Sequence, residues 1–242
     1  MSDKWLTGRV IENRHWTENL FSLRVAGVPL KFQAGQFVRI ALDIDGQRVA
    51  RAFSFVNPPD DPVLEFYGVI VPQGPLSPRL ARLALGDDLH VAPNPAGFLV
   101  LSEVPDCETL WLLATGTGLA PFLSILRTAT PWRRFRNVVV VHGVRHAEEL
   151  TYRDVIASTP ARYVSFVTRE RAGGSLEGRI PAAIADGRLE TAAGVALAPE
   201  SSHVMLCGNP AMLKDAQAAL MARGLRKHRR RAPGHITVES FW

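Results

Sequence analysis

An arginine, an aromatic ring and a hydroxyl stand together at Arg51-Ala52-Phe53-Ser54, inside a run that reads as a β-strand. On one strand these side chains are able to meet a phosphate, a flat ring and a ring nitrogen, since a guanidinium fork matches phosphate geometry. Further on, Trp111-Leu112-Leu113-Ala114 runs into Gly116-Thr117-Gly118 and then Leu119-Ala120-Pro121-Phe122. A strand, a glycine turn and a helix start together make an anion site from backbone N–H groups and the helix dipole. Pro121 stands where a dinucleotide fingerprint has its third glycine, which argues against an ordinary Rossmann dehydrogenase. No Gly-Lys-Ser/Thr ending follows the turn, which argues against a nucleotide triphosphatase.

Two kinds of element must hold these residues. Up to about residue 100 the chain shows short alternating or β-branched runs, at Leu20–Val25, Gln36–Ile40, Val49–Val56, Leu64–Val71 and Asp88–Val91. That rhythm predicts a small antiparallel barrel or sandwich. One helix is expected at Ser77–Leu85, with Ser77 as cap and Pro78 at the first helical position. After Val100–Asp106, read as the hinge, apolar strands alternate with helices: Thr109–Ala114 and Ala120–Thr128, Asn137–His142 and Ala147–Ala157, Tyr163–Thr168 and Gly178–Ala185, His203–Cys207 and Ala211–Arg223. Near-continuous runs such as Val138–Val141 suit a parallel sheet covered on both faces. The expected architecture is an antiparallel β-barrel over residues 1–102 and a doubly wound α/β domain over residues 103–242.

Bulk composition narrows the classes. At 242 residues and 47% hydrophobic content the chain can bury sizeable cores, and disorder is not expected. Charges at Asp3, Lys4, Arg9, Glu12, Arg14 and Glu18 leave no apolar signal-peptide core, and no apolar run nears the roughly 18 residues of a membrane helix. Cys107 and Cys207 lie in different contexts with neither a disulfide framework nor a metal spacing, so a cytoplasmic, reducing setting without a metal is expected. His15, His90, His142, His146 and His203 read as structural or surface residues. The net charge of +5 equals the charge of Arg226, Lys227, Arg229, Arg230 and Arg231, so the excess is one local patch. Such a patch suits nucleic acid, an acidic lipid surface or an acidic protein.

Arg51-Ala-Phe-Ser54, Gly74-Pro-Leu-Ser77, Gly116-Thr-Gly-Leu-Ala-Pro121 and Cys207-Gly-Asn-Pro210 follow the order found in the ferredoxin/flavodoxin–NADP⁺ reductase superfamily, which the chain resembles over essentially its whole length. The ending Val238-Glu239-Ser240-Phe241-Trp242 resembles the short bacterial type. The resemblance implies an FAD-binding first domain and an NADP-binding second domain. Arg51 is then the partner of the FAD pyrophosphate, Phe53 the ring against the flavin, and Ser54 the hydroxyl near flavin N5. Ala52, the strand Tyr67-Gly68-Val69-Ile70, the loop Gly74-Pro75-Leu76-Ser77 and Thr117 complete the FAD contacts, with Phe241 over the flavin and Trp242 near the adenine.

For the nicotinamide nucleotide the resemblance points to Thr115, Gly116, Gly118, Val144, Cys207, Gly208, Asn209 and Asp215, with Arg145, Thr168, Arg169 and Arg179 around a 2′-phosphate. NADPH is therefore expected over NADH, with Glu170 as the residue that keeps NADH in play. Ser54, Cys207, Glu239 and Phe241 are the residues placed at the chemistry, Cys207 for positioning rather than attack and Glu239 as a proton relay. The implied activity is hydride transfer from NADPH to the flavin, followed by single-electron steps to ferredoxin or flavodoxin, with the chain acting as a monomer. Both carriers are acidic, and electrostatic steering gives the fast association that electron transfer needs, so the run Arg226–Arg231 is the expected docking patch. Alternatives are a reductase component of an oxygenase system and a non-catalytic electron-transfer subunit of the same fold. Relatives commonly carry tyrosine where this chain has Phe53, which removes a phenol hydroxyl and leaves the stacking face.

Overall fold

The computed structural model describes residues 5–240, which form two compact units. The first contains the chain up to Val100 together with Ala120–Arg127, and the second contains Leu101–Leu119 and the chain from Thr128 onward.

Six antiparallel strands build the first unit: β1 (Leu6–His15), β2 (Leu20–Ala26), β3 (Phe37–Ile44), β4 (Gln47–Ser54), β5 (Leu64–Val69) and β6 (Asp88–Val91). Their order is β4-β3-β6-β1-β2-β5, and the two outer strands meet where Phe55 bridges Phe66 and the Val56 N–H donates to the Glu65 carbonyl at 2.9 Å. The sheet thus curls on itself around Phe21, Leu23, Val38, Ile40, Phe55, Phe66 and Leu89. β3 and β4 form a hairpin through Asp45 and Gly46, both at positive φ, in the tight turn whose twist matches the strands. That turn fixes the register of Arg51 opposite Ile40 and Ser54 opposite Phe37. β1 escapes a reading by pattern because only Gly8 and Val10 along it are buried among charged neighbours.

The helix expected at Ser77–Leu85 is shorter. It spans Ser77–Leu80 (α1), and Leu76, not Ser77, occupies the cap. The Ser77 hydroxyl instead accepts the Val71 N–H at 2.9 Å, tying this loop to the end of β5. The helix after the glycine turn, α2 (Ala120–Leu126), is buried at every residue, as expected only for a helix covered all round. Within the first unit its Ser124 hydroxyl donates to the Asn57 carbonyl at 2.7 Å, and Arg127 just beyond it pairs with Glu65 at 2.7 Å.

The second unit is a parallel sheet of β7 (Thr109–Thr115), β8 (Asn137–Val144), β9 (Arg162–Val167), β10 (Leu176–Glu177), β11 (Ser202–Gly208) and β12 (Ile236–Ser240), ordered β10-β9-β8-β7-β11-β12. Five helices connect or cover it: α3 (Thr130–Arg134), α4 (Arg153–Ala157), α5 (Ile180–Ala185), α6 (Arg188–Ala193) and α7 (Pro210–Ala222). Leu110–Ala114 and Val139–Val141 have no exposed surface, the signature of strands covered on both faces. The single helix expected at Ala147–Ala157 is two pieces, a 3₁₀ turn at Ala147–Glu149 and then α4, interrupted at Tyr152, which adopts φ 54°. Strand order reverses about β7, which opens a crevice at the carboxyl ends of β7 and β11.

Candidate functional site

In the first unit three separate sequence motifs converge. Phe53, near the end of β4, and Phe21 crowd Gly68 on β5 so closely that a Cβ there would lie 3.0 Å from Phe53 and 2.8 Å from Phe21, so only glycine fits. Phe53 also meets Phe66 edge to face at 6.4 Å. The Gly74–Ser77 loop then joins β5 through the bond between Ser77 and Val71. The Arg51–Ser54, Tyr67–Ile70 and Gly74–Ser77 segments are thereby neighbours, although about twenty residues separate their beginnings in sequence.

Two features of this strand end require a partner. The Ser54 hydroxyl is buried and has no hydrogen-bond partner, a costly state for a polar group. Arg51 is exposed, its guanidinium donates only to its own neighbour's carbonyl on Ala50 at 2.7 Å, and it makes no ion pair among the described residues. An orphan hydroxyl, a cation without a counter-charge and an aromatic ring over a glycine form the donor set that FAD fits.

In the second unit the crevice at β7 and β11 is built from close backbone approaches. Gly116 sits at φ 52° in the 3₁₀ turn Gly116–Leu119, which also carries Thr117. A Cβ on Gly118 would lie 2.5 Å from the Cys207 carbonyl, and one on Gly208, at φ 134°, would lie 2.2 Å from the Thr115 hydroxyl. That hydroxyl accepts the Asn209 N–H at 2.9 Å. Asn209 in turn caps α7, accepting from the N–H groups of Ala211 and Met212. Asp215 lies exposed in the second turn of that helix, not at its start.

The neighbouring crevice edge carries the arginines. Thr168 donates both its N–H and its hydroxyl to the Val144 carbonyl at 3.1 Å, and the Arg169 N–H donates to the Arg145 carbonyl at 2.9 Å. Arg179 precedes α5, beyond the short strand β10. The Arg169 and Arg179 side chains are exposed and enter no hydrogen bond or ion pair among the described residues. Glu170, exposed beside them, has one oxygen on the Ala147 N–H at 2.6 Å.

The profile of the oxidoreductase NAD-binding domain matches residues 112–218. The flavodoxin/ferredoxin–NADP reductase of Shigella flexneri is 52% identical, over 98% of this chain and 99% of its own length. That of Escherichia coli K12 is 51% identical over the same shares. The chain belongs to the flavodoxin/ferredoxin–NADP reductase family. A solved ferredoxin NADP⁺ reductase of Neisseria gonorrhoeae, with bound FAD and NADP, superimposes at a TM-score of 0.95 with 34% identity over 98% of each chain.

In this flavodoxin/ferredoxin–NADP reductase family member, the paired strands β11 and β12 bring two ionisable groups together. Cys207 is fully buried, and burial first, then the neighbouring Glu239 charge, push its thiol well above the ordinary range. It therefore stays protonated, which suits a thiol that occupies space and not one that attacks. Glu239 lies opposite Cys207 on β12, one carboxylate oxygen is buried without a partner, and burial raises its carboxyl to about 7.

His142 is a further residue of the site, whose functional link the sequence did not reveal. It is fully buried on β8, burial lowers it to about 4, and its Nε2–H donates to the Gly116 carbonyl at 3.1 Å. The Tyr163 hydroxyl lies 3.5 Å from Nδ1, on the side left to accept. The glycine turn is thus held from the adjacent strand, a contact that becomes visible only once β7 and β8 pair.

The basic run forms a tight loop between α7 and β12. Lys227 bridges Ile236, the Arg229 and Ala232 backbones bond to each other, and Arg230 grips Glu103 at 2.6 to 3.0 Å. Arg226, Lys227, Arg229 and Arg231 remain exposed beside it. Phe241 and Trp242 lie outside the described residues. Among the described residues no helix is long and apolar enough to cross a membrane.

Proposed function

We propose that this chain works as an FAD-dependent reductase that passes electrons between NADPH and a one-electron carrier protein, ferredoxin or flavodoxin. Two observations carry this reading: an orphan hydroxyl and an uncompensated arginine on β4 in the first unit and, in the second, a glycine crevice edged by arginines. The near-complete overlap with flavodoxin/ferredoxin–NADP reductases favours it over an oxygenase component or a non-catalytic subunit.

FAD held by these residues would supply hydride acceptance from the nicotinamide and release of single electrons, while the protein sets geometry and electrostatics. Arg51, with the N–H groups and hydroxyl of Gly74–Ser77, neutralises the FAD phosphates, and Tyr67–Ile70 follows its ribityl side. Phe53 supplies a flat apolar face and Ser54 a hydroxyl at the ring edge. Without the phenol of a tyrosine, Phe53 contributes packing alone.

On the second unit, the turn at Thr115–Gly118 with Gly208 and Asn209 takes the pyrophosphate and ribose, Val144 lines the path to the adenine end, and Arg145, Thr168, Arg169 and Arg179 take the 2′-phosphate. Cys207 shapes the nicotinamide end, and Glu239, poised near neutral pH, holds a proton beside it. Thr117, Asp215, Phe241 and Trp242 complete the proposed contact sets. The acidic carrier docks on Arg226, Lys227, Arg229, Arg230 and Arg231, and the protein acts in the cytoplasm as a monomer.

Mixing the yellow protein with NADPH or NADH in a stopped-flow instrument tests the reading. Rapid bleaching by NADPH and slow bleaching by NADH are expected. A preparation that takes up no flavin, or one reduced faster by NADH, would sink it.

A further inference from the structure

The loop after β8 holds two carboxylates within the arginine cluster, an arrangement that at first sight opposes a phosphate. Their hydrogen bonds tie Glu149 fully and Glu170 by one oxygen to the loop. Glu149 is largely buried, and one of its oxygens accepts two backbone N–H groups, from Arg145 at 2.8 Å and from His146 at 3.3 Å. Its other oxygen accepts the Arg145 Nη2–H at 2.8 Å. Burial alone would raise this carboxyl, but the bonds from Arg145 and His146 outweigh it and hold the group below the ordinary carboxylate range. Glu170 reaches the same loop from the end of β9, with one oxygen on the Ala147 N–H at 2.6 Å and the other 3.8 Å from His146 Nδ1.

We infer that Glu149 is a positioning residue that presets the Arg145 guanidinium for a 2′-phosphate and thereby favours the phosphorylated nucleotide. The inference rests on the proposed 2′-phosphate role of Arg145, Arg169 and Arg179.

Three effects combine at Arg145. An arginine side chain has several rotatable bonds, and ordering it at the moment of binding opposes affinity. Here one of its five N–H donors is fixed by Glu149, while the side chain remains 52% exposed, so the other donors stay accessible to an anion. Second, the Glu149 charge is balanced by the guanidinium it holds, and Arg169 and Arg179 add two cations without ion-pair partners among the described residues, so the cluster still attracts a dianion. Third, an NAD site uses an acidic side chain to accept from the ribose hydroxyls. Glu149 commits both oxygens and Glu170 one oxygen to groups of the loop itself, which reduces what these two offer a ribose hydroxyl, while Glu148 stays exposed on the same turn.

Calorimetric titration with 2′,5′-ADP and with 5′-AMP separates this role from simple support of the fold, and reads binding independently of flavin chemistry. Glu149→Gln keeps an acceptor for the backbone N–H groups and removes the charge that holds the guanidinium. The variant is expected to bind 2′,5′-ADP about tenfold more weakly, the size of one charge-assisted hydrogen bond, with the loss confined to that ligand. In an Arg145→Ala background the same change should cost nothing further, since Glu149 acts through Arg145. Equal weakening of both ligands, tighter binding of 2′,5′-ADP, or additive losses in the double variant would each overturn the inference. If the unmodified protein does not prefer 2′,5′-ADP to 5′-AMP, the proposed NADPH preference falls as well, whereas a clear preference that Glu149→Gln leaves intact refutes the role of Glu149 alone.

Discussion

Glu239 gives a residue-scale test with a definite sign. Its carboxyl rises from about 4.5 to about 7 because burial disfavours the charged form, and one oxygen has no partner. The folded protein therefore binds this proton more tightly than the unfolded chain does. The associated stability is present below about pH 4.5 and is lost as pH rises through about 7. Above that, the ionised group burdens the fold by on the order of 3 kcal/mol, so Glu239→Gln should stabilise the protein at pH 8 and make little difference at pH 4. Urea unfolding midpoints across that range measure it, and a constant difference between the two proteins at all pH values would show that the carboxyl is not desolvated. Cys207 alongside gains its protonated state from the same burial. The sequence marked both positions, yet neither the burial nor their adjacency could be read there, because these depend on the β11 to β12 pairing.

At the scale of elements, the crevice depends on how closely the turn after β7 approaches the end of β11. Gly208, at φ 134° and with the Thr115 hydroxyl 2.2 Å from any added Cβ, cannot carry a side chain without moving backbone. Gly208→Ala should cost about 2 to 3 kcal/mol of stability through strain and displacement. It should also weaken NADP⁺ binding, because Asn209, which caps α7, is tied to the same Thr115 hydroxyl. A variant with wild-type melting temperature and wild-type NADP⁺ affinity would show that the loop has room to adjust. The helices that departed from expectation did so for similar local reasons. Ser77 is engaged by the Val71 N–H and does not cap α1, and Glu149 closes a 3₁₀ turn where a continuous helix is expected, with the chain then passing through the left-handed Tyr152.

For the molecule as a whole, the basic loop concentrates the chain's excess charge on one surface, four exposed cations beside the Glu103-held Arg230. Reduction of an acidic carrier should therefore slow steeply as ionic strength rises. Replacing Arg229 and Arg231 with glutamine should flatten that dependence and raise the KM for the carrier several-fold, and an unaltered salt slope would move the docking surface elsewhere. The sequence by itself determined the motif order, the barrel followed by a parallel sheet, and the charge run, because period-2 alternation, buried apolar strands and glycine turns are local properties of the chain. Tertiary structure alone decided which of those residues are free to bind. Long-range pairing buried the Ser54 hydroxyl and the Glu239 carboxyl without partners, drew His142 onto the Gly116 carbonyl, and folded α2 into the first unit. It also turned Glu149 and Glu170 from acidic letters beside an arginine into acceptors for the loop that carries it, since a hydrogen-bond partner is set by proximity in space and not by position along the chain.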